Sequence, residues 1–97
     1  MAAAAQDGTV VVADSENSRL RKVDRDRAVS TIAGDGIAGP PAPGLFEDLA
    51  LRCHLNHPQG VAIDGDGNVV LSDLDNRCVR MLSPAGAITT LGGGAAR

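Results

Sequence analysis

An internal repeat limits the fold of this chain more than any other feature of its sequence. The segment that begins at Gly8 recurs without a gap at Gly67, 59 positions later. The following matching positions illustrate the alignment: Gly8 and Gly67, Asp14 and Asp73, Asn17 and Asn76, Arg21 and Arg80, Thr31 and Thr90, Gly34 and Gly93. Because a repeated sequence encodes a repeated structural unit, the chain is predicted to contain two copies of one motif.

Each copy is predicted to form three short β-strands. Segments 10–13 and 69–72 are apolar, rich in β-branched residues and too short for helices, which is typical of strands buried on both faces. In 19–23 and 78–82, polar and apolar residues alternate, which indicates more exposed strands. The third pair of strands is predicted at 29–32 and 88–91.

A fourth strand is predicted ahead of the second copy. Residues 58–64 are largely apolar and lead into Gly65-Asp66-Gly67, which is a tight hairpin signal. Residues 1–5 hold the corresponding place ahead of the first copy, where a run of alanines leaves a strand and a disordered or helical tail as alternatives. The unit is therefore an antiparallel four-stranded motif of about forty residues, the pattern of a β-propeller blade.

The joints between the strands carry turn residues at the same places in both copies. Asp14 and Asn17 stand three positions apart in the first copy, as Asp73 and Asn76 do in the second. Both residue types hydrogen-bond nearby backbone groups and tolerate a left-handed conformation. We predict that these side chains are structural, because a carboxylate that recurs in each copy fits a repeated turn better than a single active site.

The second copy resembles the NHL repeat. The resemblance is carried by Pro58-x-Gly60-Val61-Ala62-x-Asp64-x-x-Gly67-Asn68, an apolar strand, Asp73-x-x-Asn76 and Arg80. Residues 58–91 match one complete repeat, residues 8–34 match most of another, and the glycine-rich 33–39 is similar to the spacer of such repeats. The resemblance implies an all-β protein of two four-stranded antiparallel blades of NHL type. Cys78 departs from the pattern, since the family usually has arginine there and the first copy has Arg19.

The chain divides at the glycine- and proline-rich stretch between the copies. We predict a first blade at 1–34, whose innermost strand the sequence leaves open, a connection at 35–57 and a second blade at 58–97. Glycines and prolines exclude regular structure from the first half of the connection. Residues 45–51 are predicted to form a short helical turn that packs Phe46 and Leu49 against a blade. The connection either faces a partner at the rim or covers the edge between the blades.

Two blades are too few to close a propeller, which typically has about 4 to 8. Each apolar blade face needs a neighbour, and burial contributes about 25 cal/mol per Å2 of apolar surface. Two uncovered faces would therefore remove much of the roughly 5–15 kcal/mol that stabilises a domain. We expect an incomplete ring that is completed within a longer chain, by three copies in a six-bladed ring, or inside a larger assembly.

Basic residues cluster on the predicted strand 19–23. The candidate contacts for a partner are Arg19, Arg21, Lys22, Arg80 and the single aromatic residue, Phe46. Some NHL propellers are implicated in RNA binding, so the resemblance keeps RNA as an alternative. The absence of interleaved aromatic residues favours a solvated strand over a nucleic-acid surface, and the net charge of −3 points the same way.

Two histidines precede the innermost strand of the second blade. His54 and His57 are similar to the channel histidines that hold zinc in some NHL-like enzymes, such as the amidating lyases. Catalytic zinc needs three protein ligands, so Asp64 or Asp73 would have to complete the set. Asp64 also opens a calcium-like loop, but Val69 stands where the loop requires glycine. We predict no catalytic residue, no metal and no cofactor.

These features predict a non-enzymatic protein-interaction scaffold built from propeller blades. The alternatives are a fragment of a propeller enzyme of the lactonase or amidating-lyase type with a channel metal, and an RNA-binding propeller. The expected partner is a protein or further copies of the chain, not a nucleic acid or a membrane. No signal peptide or membrane-spanning run is recognisable, which favours the cytoplasm, and Cys53 and Cys78 are expected to be free thiols.

Overall fold

Two antiparallel sheets make up the described part of the chain. The structure is a computed structural model that describes residues 2–4, 7–39 and 47–93. The strands in these ranges are β1 (Ala2–Ala4), β2 (Val10–Asp14), β3 (Arg19–Val23), β4 (Val29–Ala33), β5 (Glu47–Leu49), β6 (Pro58–Ile63), β7 (Val69–Asp73), β8 (Cys78–Leu82) and β9 (Ala87–Gly93). The first sheet has the order β1-β2-β3-β4 and the second β5-β9-β8-β7-β6. The all-β prediction is confirmed, and the two sheets do not close a ring.

The two sheets pair their strands in the same register. Val12 lies opposite Arg21 in the first sheet, as Leu71 lies opposite Arg80 in the second. A bulge interrupts β3 after Leu20, and the equivalent bulge interrupts β8 at the matching place. Repeated sequence has thus produced repeated hydrogen-bonding geometry, down to the irregularities.

Glycine is required beside each bulge. Gly34 and Gly93 have φ angles of 88° and 85°, a region that side chains other than glycine rarely adopt. A Cβ atom on Gly34 would also meet the carbonyl oxygen of Ser18, and one on Gly93 would meet that of Arg77. Both carbonyls belong to left-handed residues that end the turn before the strand.

Strand β1 resolves the alternative that the alanine run left open. Ala2–Ala4 pairs antiparallel with β2, in the register that β6 and β7 share across the repeat. Both β1 and β2 contact β6 of the second sheet. Pairing and packing therefore outweigh the poor intrinsic strand propensity of alanine.

The connection departs from the prediction in its second half. Glu47–Leu49 is not helical but forms strand β5, which pairs with the outer edge of β9, so the second sheet has five strands rather than four. A 3-10 turn follows at Ala50–Arg52, and Leu49 is 57% exposed rather than packed against a blade. Pairing satisfies backbone groups that an open sheet edge would leave bare, and this outweighs the local pattern. Phe46 lies outside the described residues.

The connection also supplies part of the core between the sheets. Leu55 is 0% exposed, and Ala50 and Cys53 are buried beside it. The N–H of Gly34 donates to the Ala50 carbonyl at 2.8 Å and that of Gly39 to the Leu55 carbonyl at 3.2 Å. The connection is therefore a structural element that fastens both sheets.

Candidate functional site

Each sheet carries a cluster of aspartate, asparagine and arginine, at the end of β2 in the first sheet and at the end of β7 in the second. We call Asp14, Asn17 and Arg21 the open cluster, and their counterparts Asp73, Asn76 and Arg80 the filled cluster. In both, a 3-10 turn carries the chain from the aspartate to the asparagine, and the turn brings the amide back onto the carboxylate. The distance from the amide nitrogen to the carboxylate is 3.0 Å in the open cluster and 2.8 Å in the filled one.

The arginines bind their aspartates differently. In the open cluster, Arg21 Nε donates to Asp14 Oδ2 at 3.1 Å, and Arg21 Nη1 donates to Thr31 Oγ1 at 3.0 Å. In the filled cluster, Arg80 Nη1 lies 3.6 Å from Asp73 Oδ2. Its shorter bond is to the carbonyl oxygen of His54, at 3.0 Å. In the filled cluster, the arginine therefore lies closer to a carbonyl of the connection than to its own aspartate.

Burial separates the two clusters most clearly. The side chains of Asp73 and Arg80 are 0% and 3% exposed, whereas those of Asp14 and Arg21 are 30% and 31% exposed. The residues are identical and their strands have the same register, so their exposure depends on what covers them.

The connection covers the filled cluster. The N–H of Asn56 donates to Asp73 Oδ1 at 2.7 Å, and Asn76 Nδ2 donates to the carbonyl oxygen of Gly39 at 2.8 Å. Asn56 also accepts a bond from the N–H of Asp75 at 3.0 Å. A buried charge is tolerated only when it is paired and hydrogen-bonded, and the backbone of the connection supplies those bonds.

Asn56 is the partner that the repeat could not predict. It lies outside the repeated segments, so the offset gives it no counterpart in the chain. The same holds for the carbonyl groups of Gly39 and His54, because a backbone acceptor has no sequence signal. The nearest signal in the sequence is the recurring turn aspartate, Asp73, which does not identify its backbone partners.

Burial also determines the chemistry of Cys78 beside the filled cluster. Burial raises the pKa of its thiol, and the nearby Asp73 carboxylate adds to the effect. The thiol therefore stays protonated at neutral pH and is a poor nucleophile. Cys53 and Cys78 are both buried, and no disulfide joins them.

The basic side chains proposed as partner contacts have partners within the chain. Arg19 donates to the carbonyl oxygen of Asp35 at 3.4 Å, and Lys22 lies 3.6 Å from Asp24. Arg21 belongs to the open cluster, and Arg80 is buried rather than on the surface. Arg80 therefore does not share the surface with the other three basic side chains.

The two histidines pair with different aspartates. His54 Nδ1 lies 2.8 Å from Asp35 Oδ2, and His57 Nδ1 lies 2.8 Å from Asp75 Oδ2. Partial burial opposes ionisation of Asp35, but hydrogen bonds from His54 and from the Ile37 N–H outweigh it and lower its pKa. Within the described ranges, no three side chains of the metal-binding types gather into a potential ion site.

The carboxylate oxygens of Asp64 accept hydrogen bonds within their own turn. The carboxylate of Asp64 accepts bonds from the N–H groups of Asp66 and Asn68 and from the Asn68 amide, each at 2.9 Å. Hydrogen bonds from Asn68 lower the pKa of this exposed carboxyl. The calcium-like spacing therefore corresponds to a hairpin turn.

A groove of about 720 Å3 lies between the two sheets. It is lined by Val11 and Ile32 from the first sheet, Ile63 and Val69 from the second, and the 3-10 turn of the connection. Its walls are largely aliphatic, and no catalytic combination of side chains lines it.

The fold and these clusters define the class of the protein: an all-β protein of two propeller-like blades that do not complete a ring. Among solved structures it is similar to an auxiliary nutrient binding protein from Bacteroides thetaiotaomicron VPI-5482, with a TM-score of 0.64 and 14% identity. That match covers 91% of this chain and 25% of the other. At this identity the likeness concerns the fold alone.

A curated relative comes from Arabidopsis thaliana. The chain is 32% identical over 80 residues to Protein SUPPRESSOR OF QUENCHING 1, chloroplastic, and the match covers 80% of this chain and 7% of that protein. No family model matches the chain. Within the described residues, no helix has the length and apolar character needed to cross a bilayer.

Proposed function

We propose that this chain is a non-enzymatic protein-interaction scaffold, formed by two NHL-type blades of a larger propeller or assembly. The observation that carries the proposal is the complementarity of the two sheets. The residues on the outward face of each sheet are the repeat counterparts of residues that the other sheet buries between the two sheets.

The second sheet illustrates this on its outward face. Val79 is 40% exposed there, while its counterpart in the first sheet, Leu20, is 0% exposed in the core. Cys78 and Arg80 on either side of Val79 point into the core, because side chains alternate along a strand. The outward face of the second sheet is thus equivalent to a face that already packs in this molecule.

The first sheet shows the converse relation, because its outward face matches the face that the second sheet buries. Val69 and Leu71 are 6% and 1% exposed in the core, while their counterparts Val10 and Val12 are only partly buried. A second copy can therefore place this face against the outward face of the second sheet and repeat the internal contact. Head-to-tail contacts of this kind generate rings when the rotation closes, and three copies would give a six-bladed ring.

The internal pairing of polar side chains supports a scaffold rather than an enzyme. His54 and His57, the residues a channel metal would use, each pair with an aspartate of the chain. The enzyme alternative requires a bound metal, so one equivalent of zinc or calcium per purified chain, lost in His54→Ala, would overturn the non-enzymatic part of the proposal. A steep fall of RNA affinity with salt would likewise support the RNA alternative.

Sedimentation equilibrium of the full chain tests the assembly. We expect species heavier than the 9.8 kDa monomer, with a three-chain particle as the simplest closed form. A folded 9.8 kDa monomer that unfolds cooperatively at the highest accessible concentration would refute the need for further blades.

A further inference from the structure

We infer that the first sheet carries a docking site for an extended peptide segment, formed by the open cluster and by the edge of β4 that no described strand pairs with. The segment that would occupy it is chemically equivalent to residues 47–57, the second half of this chain's own connection. The inference rests on the proposed function in one respect, since the expected source of that segment is a further repeat of the same kind.

The open cluster provides the polar half of the site. In the filled cluster, one backbone N–H binds the aspartate and one backbone carbonyl binds the arginine. Among the described residues, Asp14 accepts bonds only from Asn17 and Arg21, and both Asp14 and Arg21 stay about one-third exposed. The open cluster therefore retains the capacity for the same backbone contacts, with the carboxylate and guanidinium already oriented by their neighbours.

The edge of β4 provides the second half, on independent evidence. In the second sheet, β5 pairs along β9, where Glu47 lies opposite Thr89 and Leu49 opposite Ala87. Between them, Ile88 is 1% exposed, whereas its counterpart in the first sheet, Val29, is 63% exposed. Within the described residues, no strand pairs with the outer edge of β4, although the 3-10 turn of the connection contacts this strand. Such an edge is a template for strand addition.

One continuous segment fills both places in the second sheet. It begins with strand β5, passes through the buried Ala50 and Leu55, and ends with Asn56 at the filled cluster. A single segment of this kind would therefore cover Val29 and give the open cluster a backbone N–H for Asp14 and a backbone carbonyl for Arg21. It must be extended at its start, carry small and aliphatic residues at the core positions, and have a free N–H at the position equivalent to Asn56.

A further repeat is a better source of this segment than a second copy of the chain. In every molecule of this chain, residues 47–57 are already bound to the second sheet through strand pairing and core packing. A second copy could offer them only by releasing them from its own core, which exposes Leu55. The connection of a repeat outside these 97 residues carries no such penalty.

A fusion tests the site at high effective concentration. A second copy of residues 34–59 is placed directly ahead of Met1, which keeps the repeat spacing. We expect amide hydrogen exchange at residues 28–30 to slow by at least about tenfold relative to the unfused chain, because the new segment pairs with β4. The matched control carries Asn56→Pro in the added copy only, since proline has no N–H to give to Asp14. In that control, amide hydrogen exchange at residues 28–30 should return toward the rate of the unfused chain.

Asp14→Asn supplies a second readout. The substitution should lower the melting temperature of the fusion by more than it lowers that of the unfused chain. Equal effects in both chains, or unchanged exchange at residues 28–30, would overturn the inference. Should the fusion fail to fold, a synthetic peptide of residues 47–57 added to the unmodified chain must give saturable amide shifts at 28–30 that the Asn56→Pro peptide does not give.

Sedimentation separates this inference from the proposed function. A fusion that protects β4 but stays monomeric supports the docking site and counts against self-assembly. A fusion that assembles while β4 exchanges at its original rate supports assembly and refutes the docking site.

Discussion

At the residue scale, the same side chain has different properties in the two blades because its surroundings differ. Asp14 and Asp73 occupy one position of the repeat and hold the same turn asparagine, yet only Asp73 is fully buried. The turn explains why the aspartate recurs in both copies. The burial of each aspartate determines how strongly its substitution would destabilise the fold. An unpaired buried charge costs far more than an exposed one.

Gly34 gives the sharpest residue-scale prediction. Gly34→Ala forces a Cβ into a left-handed conformation and against the Ser18 carbonyl, so it should lower the free energy of unfolding by at least about 1–3 kcal/mol. Chemical denaturation measures the loss. The control is Gly65→Ala, because an added Cβ there meets nothing within 4 Å. Equal stability of the two variants would contradict the assigned backbone strain.

Asp64 predicts part of the acid sensitivity. Its pKa in the folded chain lies below the ordinary value of 3.8, so the folded state releases this proton more readily than the unfolded state. The resulting stability is fully present above about pH 4 and is lost as the pH falls through the lowered pKa. Asp64→Asn should therefore differ most from the parent near neutral pH and converge with it in acid, as measured by urea unfolding across the pH range.

Asn68→Ala tests the cause of that acid sensitivity. The substitution removes the side-chain hydrogen bond that contributes most to the lowered pKa of Asp64. It should flatten the acid limb in the same direction as Asp64→Asn. An unchanged slope would mean that the turn does not govern the titration of Asp64.

At the scale of elements, the connection is the part that differs most from its sequence pattern. Its sequence predicts no regular structure in the first half and a short helical turn at 45–51, but the second half adds a strand to one sheet and aliphatic side chains to the core. Pairing with the sheet edge and packing between the two sheets stabilise this conformation over the others that the local sequence permits. The connection is therefore comparable to a strand in its contribution to stability.

Two leucines of the connection test that statement. Leu55→Ala removes a side chain that is 0% exposed and should cost about 2–5 kcal/mol of unfolding free energy. Leu51→Ala, at a leucine that is 59% exposed in the same segment, should stay within about 0.5 kcal/mol of the parent. Denaturant titration compares them, and a tolerant Leu55 would show that the connection is peripheral.

At the scale of the whole molecule, the two sheets lie side by side without closing a ring, and each has an outward face. The described residues extend 41 × 26 × 20 Å, the shape of two blades side by side. Each outward face repeats a face that packs internally, so the interaction that holds the two sheets together is also available between chains.

Val79 tests this interaction between chains. Val79→Asp places a charge on the outward face of the second sheet and should weaken assembly at least about tenfold, because the contact would bury an unpaired carboxylate. Ala85→Asp is the control, since Ala85 is exposed in a turn and its counterpart in the first sheet, Asp26, is an exposed aspartate. Sedimentation velocity of both variants measures the effect. Assembly that survives in Val79→Asp at full strength would place the interface elsewhere.

The sequence by itself determined the repeated unit: strands β2 to β4 and β6 to β9, with the turns between them, follow from local chemistry that recurs at a fixed offset. Only the tertiary structure decided that residues 47–49 pair with β9, that Asn56 binds Asp73, and that Arg80 is buried while Arg21 is not. Local sequence specifies the conformations a segment can adopt, whereas burial and pairing depend on which distant segment lies against it. Two identical clusters can therefore differ completely in exposure, because the segment that covers one of them lies outside the repeat.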